Sequence, residues 1–277
     1  MTKKYNGAYY TILILLVILF IFPILFVLMN SFKGKFYISD VPFAWPSGDY
    51  YAGFSNYTGG IEKANFFTAF GWSLFITVFS VGAIILFTSM TSWYITRVKN
   101  KLTSFLYYMF VFSMIVPFQM VMFTMSKLAD TLYLNNPIGM IVLYLGFGSG
   151  LSVFMFSGFL KSIPLEIEEA ALIDGCTPLV AFFRIVLPIL KPTTITIAIL
   201  NAMWIWNDYL LPYLVIGVST GYKTVPVAVQ FLMGSYGAKD YGALMALLVL
   251  SVTPIIIFYL FCQKYIIAGV VAGAVKG

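Results

Sequence analysis

Apolar residues in this chain fall in long unbroken runs, without the alternation of a half-buried strand or the one-sided period of a surface helix. Six runs approach or exceed the roughly 20 residues that a membrane-crossing helix needs. They cover residues 8–32, 66–96, 102–126, 136–160, 192–216 and 241–263. The first run carries no charge and follows Lys3 and Lys4. It is too long for the apolar region of a signal peptide, and no small-x-small cleavage pattern precedes Lys33, so it reads as an anchor. In the fifth run Asp208, Pro212 and Gly217 interrupt the apolar pattern. The pattern predicts an all-α, polytopic membrane protein with six transmembrane helices.

Six crossings place both termini on one side. That side would hold Lys3, Lys4, Arg97, Lys99, Lys101, Lys161, Arg184, Lys191, Lys264 and Lys276, ten basic residues against six on the other. Cytoplasmic loops are enriched in Lys and Arg, so both termini are expected in the cytoplasm. The dense stretch from Arg97 to Lys101 is the strongest single indication. The outer loops then fall at 33–65, 127–135 and 217–240. The longest carries Trp45, Tyr50, Tyr51, Phe54 and Tyr57 among prolines and glycines, as expected of an irregular aromatic segment near the membrane interface.

Composition agrees with this reading. The chain is 61% hydrophobic and 9% charged, against about 25% charged residues in soluble domains. Its net charge of +6 comes from scattered residues, without the basic, aromatic-studded face of a nucleic-acid binder. There is no histidine, and Cys176 and Cys262 are the two cysteines. A metal knot, a disulfide framework and a histidine base are therefore not indicated. No G-x-x-x-x-G-K-[ST] stretch exists, since the single Gly-Lys pair, Gly34-Lys35, is followed by Phe36. A phosphate-cradling loop of that type is absent.

One connection is longer than packed helices require. Residues 161–191 contain Glu166, Glu168, Glu169 and Asp174, four of the ten acids in the chain. Pro164 suits a first helical turn, and the three glutamates suit the positive end of the helix dipole. Ala170, Ala171 and Leu172 favour helix. Gly175 is placed to end it in the left-handed conformation. Thr177-Pro178 reads as the cap and first position of a second helix through Val180, Phe182, Phe183 and Val186, with Pro188 marking the approach to the fifth span. The prediction is a helical hairpin on the cytoplasmic face. By itself it is either a connector or a docking site for a cytoplasmic partner.

Glu169-Ala170-Ala171, three residues, Gly175, nine residues, then Ile185-x-Leu187-Pro188 resembles the EAA motif of binding-protein-dependent ABC importer permeases at every defining position. Ile163-Pro164 and Ile173-Asp174-Gly175 resemble the sugar-importer branch. So do Pro117-Phe118-Gln119, Trp206-Asn207-Asp208-Tyr209 with Pro212, and the ending from Gly269 to Gly277. The resemblance is to the smaller permease of maltose-type and multiple-sugar systems, and it is strongest from residue 66 onward.

That resemblance implies a type I ABC importer permease fold, in which the hairpin is a coupling helix. Its partners would be a second permease subunit, two ATP-binding subunits, an extracytoplasmic sugar-binding protein and the bilayer of a prokaryotic cytoplasmic membrane; no nucleic acid is implied. This subunit would hold no cofactor, with ATP and magnesium on the ATPase subunits, and would not itself be an enzyme. Residues 1–65 would form an anchor and outer loop, 66–263 the permease core including 161–191, and 264–277 a cytoplasmic tail. Glu169, Ala170, Ala171, Asp174, Gly175, Ile185, Leu187 and Pro188 would couple to the ATPase. Gln119, Trp204, Asn207 and Asp208 are candidates for the substrate pathway, because sugars are met by aromatic faces and hydrogen-bonding side chains, and an acid within a span is a functional candidate. The alternatives are a polyol or glycerol-phosphate-type cargo, or a secondary transporter. The latter would need paired charges or broken helices in two repeats, and Asp208 has no basic partner within a span.

Overall fold

The computed structural model describes the backbone of residues 5–232 and 240–274, and the side chains of residues 7, 9–232 and 240–265. Lys3, Lys4, Lys239, Lys276 and the last residues of the Gly269–Gly277 ending lie outside the described residues. The chain is all-α. In order, the helices are α1 (Tyr5–Asn30), α2 (Tyr37–Asp40), α3 (Ser55–Ala64), α4 (Phe66–Arg97), α5 (Lys101–Ile115), α6 (Phe118–Thr131), α7 (Pro137–Leu160), α8 (Glu166–Ile173), α9 (Pro178–Ile189), α10 (Lys191–Asn207), α11 (210–217), α12 (Val225–Phe231) and α13 (Tyr241–Ala274). Among the described residues no strand forms beyond an isolated bridge between Lys33 and Tyr51. Among the described residues four helices, α1, α4, α7 and α13, are long and apolar enough to cross a membrane alone. Two bent pairs, α5 with α6 and α9 with α10, meet the same length and composition test when each pair is taken together, giving up to six candidate spans.

The chain divides into two units, residues 1–69 with 225–256, and residues 70–224 with 257–277. In the first unit every residue from Tyr9 to Leu25 of α1 is exposed, as suits a helix whose solvent is lipid tails. The outer loop is more ordered than its glycines suggest. Asn56 donates to the carbonyls of Ser31 and Lys33, both at 2.8 Å, which satisfies backbone acceptors at the end of α1. The buried Lys33 donates its Nζ to the carbonyls of Val41 and Pro42, each at 2.9 Å, and burial lowers its pKa from the ordinary lysine value. Helix α3 was not apparent from the sequence, where Gly59 and Gly60 read as breakers. A Cβ on Gly60 would stand 3.2 Å from the Ala243 carbonyl oxygen; the glycine is there to let α3 approach α13.

The second unit is organised around α7, whose small residues let neighbouring backbones come close. A Cβ on Gly150 would meet Ser113 Oγ at 2.6 Å and the Phe110 carbonyl of α5 at 2.8 Å. Gly148 faces Ile84 of α4 and Asn201 of α10. Ser92 of α4 donates to the Val153 carbonyl at 3.3 Å, and Asn201 donates to Ser152 Oγ at 3.3 Å. Ile76, Ile84, Tyr144, Phe156, Leu160, Phe182, Ile197 and Ile205 fill the core between these helices.

Two apolar runs are not straight. The third bends by 106° between α5 and α6. Pro117 follows Val116, which it forces out of the helical region to φ −74°, ψ 114°. The fifth breaks after Asn207, where Asp208 takes φ −70°, ψ 123°. Its Oδ1 then accepts from Leu210 N–H at 3.0 Å and starts the helix again as α11.

Candidate functional site

The segment after α7 folds as a helical hairpin. Helix α8 begins at Glu166, two residues after Pro164, so its first turn is acidic. Its end is fixed by hydrogen bonds from Cys176 N–H to the Ala171 carbonyl at 3.0 Å and from Gly175 N–H to the Leu172 carbonyl at 3.1 Å. This 6→1 and 5→2 pair is the Schellman motif. It requires a left-handed residue, and Gly175 supplies φ +86°. Thr177 Oγ1 then accepts from Val180 N–H at 3.4 Å, with Pro178 in the first turn of α9. Residues Phe182–Val186 widen into a π turn. Pro188 follows it and has no N–H to give to the preceding turn. The chain then bends by 75° into α10.

What holds the hairpin is an interaction that the motif does not include. Glu168 is buried, and both its oxygens are engaged. Oε1 accepts from Arg97 Nε at 2.9 Å and Nη2 at 2.6 Å, and Oε2 accepts from Trp93 Nε1 at 2.8 Å. Arg97 Nη2 also donates to the Ile163 carbonyl at 3.2 Å. The Trp93 ring lies 5.2 Å from that of Phe182. Trp93 and Arg97, one turn apart on α4, therefore grip α8 through Glu168 and α9 through Phe182. Sequence reasoning assigned Arg97 to topology and Glu168 to the helix dipole. The available signal was an i, i+4 pair on α4 facing the one acidic cluster of the chain.

The motif residues divide into held and displayed sets. Ala171 is buried, Ile185 and Leu187 are half-buried, and Leu187 packs on the core. Glu169, Ala170, Asp174, Gly175 and Pro188 are exposed. Apolar residues accompany them on the surface: Ile173 is 85% exposed and Leu179 56%. An added Cβ on Gly175 would meet nothing within 4 Å, so its surroundings within this chain are open.

The four pathway candidates are not gathered into one pocket. Asp208 Oδ2 accepts from Tyr144 OH at 3.0 Å while Oδ1 caps α11. Trp204 sets its ring against Tyr144, 5.4 Å between centroids, and stays 41% exposed. Asn207 is exposed and donates back to the Met203 carbonyl at 2.7 Å. Gln119 is exposed in the first turn of α6. Among the described residues no group of three or more Cys, Asp or Glu side chains is placed to hold a metal ion.

Comparison with known proteins places this geometry in a lineage. Residues 89–271, which include the whole hairpin, match the family described as the binding-protein-dependent transport system inner membrane component. The chain is 40% identical to the probable starch degradation products transport system permease protein AmyC of Thermoanaerobacterium thermosulfurigenes, over 95% of this chain and 94% of that protein. It is 34% identical to the multiple sugar-binding transport system permease protein MsmG of Streptococcus mutans, over 94% and 93%. Its fold is similar to a solved bacterial ABC transporter involved in import of the acidic polysaccharide alginate, with TM-score 0.75 at 20% identity, covering 95% of this chain and 96% of the other. The displayed hairpin, the apolar helices and these relatives agree, and the chain belongs to the family of binding-protein-dependent transport system inner membrane components.

Proposed function

We propose that this chain forms, with a second permease, the translocation pathway of an ATP-driven importer of sugars, most directly oligosaccharides, and couples to ATPase subunits through the hairpin 161–191. The observation that carries this reading is the division of the hairpin. Its buried acid Glu168 anchors it to α4, while Glu169 on α8 and Ile173, Asp174 and Gly175 at the turn stand exposed. Exposed Ile173 and Leu179 beside acids fit a surface that docks a partner. An inward push on the tip would be passed through Glu168 and Phe182 to α4 and through Pro188 to α10.

The sugar assignment rests on relatives whose names specify starch products and multiple sugars. A solved alginate importer in complex with a pentasaccharide-bound periplasmic protein, similar in fold at TM-score 0.61, supports an external binding protein as partner. The basic stretch Arg97–Lys101 beside the hairpin supports a cytoplasmic position for it and for both termini. Hydrolysis belongs to the partners in this reading, because the chain has no phosphate-cradling motif.

The test is co-expression with the neighbouring permease, ATPase and binding-protein genes, followed by uptake of labelled maltooligosaccharides, melibiose-type sugars, glycerol and glycerol phosphate into proteoliposomes. ATP-dependent uptake of an oligosaccharide is expected. Uptake of glycerol or its phosphate alone would replace the cargo, and uptake driven by an ion gradient without ATP would replace the mechanism.

A further inference from the structure

Where α4 ends, α5 begins and α7 ends, a cavity of about 430 Å³ opens, within the size range of small-ligand sites. Its wall includes Arg97, Lys99 and Lys161 and no carboxylate. Arg97 is matched by Glu168. Among the described residues Lys99 and Lys161 have no such match; Lys161 Nζ sits 5.2 Å from the centre of the Tyr107 ring, which also lines the cavity.

The same wall carries two orphan hydroxyls. Thr96 Oγ1 and Ser157 Oγ are buried with no hydrogen-bond partner, and Ser157 is 1% exposed. Native proteins satisfy nearly all buried polar groups, so two such hydroxyls on one cavity wall, without a partner among the described residues, are available to a ligand. The first turn of α5 borders the cavity through Thr103 and Ser104, adding the positive end of a helix dipole. The two ammonium groups and the two hydroxyls are hydrogen-bond donors; the Thr103 and Ser104 groups are already engaged with Asn100 and Val98, so the helix start adds only its dipole. The complementary ligand has several acceptor oxygens and negative charge.

We propose that this cavity binds the phosphate group of a phosphate ester, supplied by an anionic phospholipid or by a soluble phosphate. The lipid source is favoured by what adjoins it. Phe105, Tyr108, Met109 and Phe112 form one exposed apolar face of α5 running away from the cavity, a wall for acyl chains below a headgroup. Basic pockets between spans take lipid headgroups in this way. The site does not depend on the transport reading, since it requires only a membrane. Because Arg97 lines it, an occupied cavity would adjoin the ion pair that holds the hairpin.

The test uses the full-length chain in phosphatidylcholine nanodiscs containing a minor fraction of phosphatidylglycerol, with the co-released lipids identified by native mass spectrometry. Phosphatidylglycerol should be enriched, with affinity about thirtyfold lower in the Lys99→Gln/Lys161→Gln variant and several-fold lower in Ser157→Ala, which removes an unpartnered hydroxyl and keeps the charge. Lys127→Gln, outside the cavity wall, should match wild type. A parallel titration with inorganic phosphate in pure phosphatidylcholine discs distinguishes the sources. Phosphate binding with the same variant dependence would assign a soluble ligand to the same site. Equal lipid retention by all variants without phosphate binding would overturn the proposal. So would a loss in the lysine variant that Ser157→Ala does not share, because diffuse surface charge would then explain it.

Discussion

Arg97 and Glu168, 71 residues apart in the chain, meet in an ion pair of 2.6 Å whose side chains are 17% and 7% exposed. The carboxylate also takes the Trp93 indole N–H, so a single acid secures the hairpin to α4. Breaking such a pair leaves an uncompensated buried charge, which costs about 3–5 kcal/mol. Glu168→Ala should lower the thermal unfolding midpoint in detergent markedly. Pairing it with Arg97→Met should restore part of the loss. Additive losses in that double-mutant cycle would show that the two residues do not act together.

Two glycines should behave in opposite ways. Gly175 has open space around it and is fixed only by its positive φ, so Gly175→Leu should cost about 1–2 kcal/mol of stability while abolishing transport. A Cβ on Gly148 would stand 2.6 Å from Ile84 Cδ1 and 2.9 Å from Asn201 Oδ1. Gly148→Leu should therefore fail to yield folded protein, and even Gly148→Ala should cost about 1–3 kcal/mol by overpacking. Yield and unfolding midpoint, measured beside uptake, separate the two cases.

The Lys63–Asp240 pair should give a small acid-sensitive contribution. Burial pushes the Asp240 carboxyl up, but hydrogen bonds from Lys63 and the Ala243 N–H, with the charges of Lys63 and Lys35, outweigh it and leave the pKa below the ordinary aspartate value. A depressed carboxylate stabilises above its unfolded pKa of about 4 and loses that stabilisation as pH falls through the folded value. Lys63 is 57% exposed, so the effect should stay at or below about 1 kcal/mol. Wild type and Asp240→Asn should differ in unfolding midpoint at neutral pH and converge in acid. A constant difference across that range would contradict the assignment.

Asp208 and Gln119 should separate structure from passage. Asp208 caps α11 and accepts the Tyr144 hydroxyl. Asp208→Ala removes a cap worth about 1 kcal/mol and leaves a hydroxyl unsatisfied, so it should lower stability. Gln119 is exposed and stabilises nothing visible within the chain, so Gln119→Ala should leave the midpoint unchanged and raise the KM for uptake. An unchanged KM would remove Gln119 from the pathway.

The helical architecture was legible because apolar runs of this length have few other solutions, and the hairpin because Gly175, Thr177 and Pro178 each punctuate it by a local rule. The interruption at Asp208 was marked in the sequence, whereas the third run read as one continuous span and the bend at Pro117 emerges from the structure, where X-Pro geometry and packing set its angle. Helix α3 was missed because Gly60 looks the same whether it breaks a helix or admits a neighbour. The clasp of Trp93 and Arg97 on Glu168 was missed because sequence spacing does not report a contact across 71 residues. The pathway candidates were named one by one, and only Asp208 and Trp204 converge, on Tyr144.

The central claim is that the exposed tip of the hairpin transmits ATPase motion. It is tested most directly by ATP hydrolysis of the purified complex, with and without sugar-loaded binding protein, for wild type and a Glu169→Ala/Gly175→Leu variant. Loaded binding protein should stimulate the wild-type complex. The variant complex should keep all its subunits and show no stimulation. Full stimulation in the assembled variant would contradict the account.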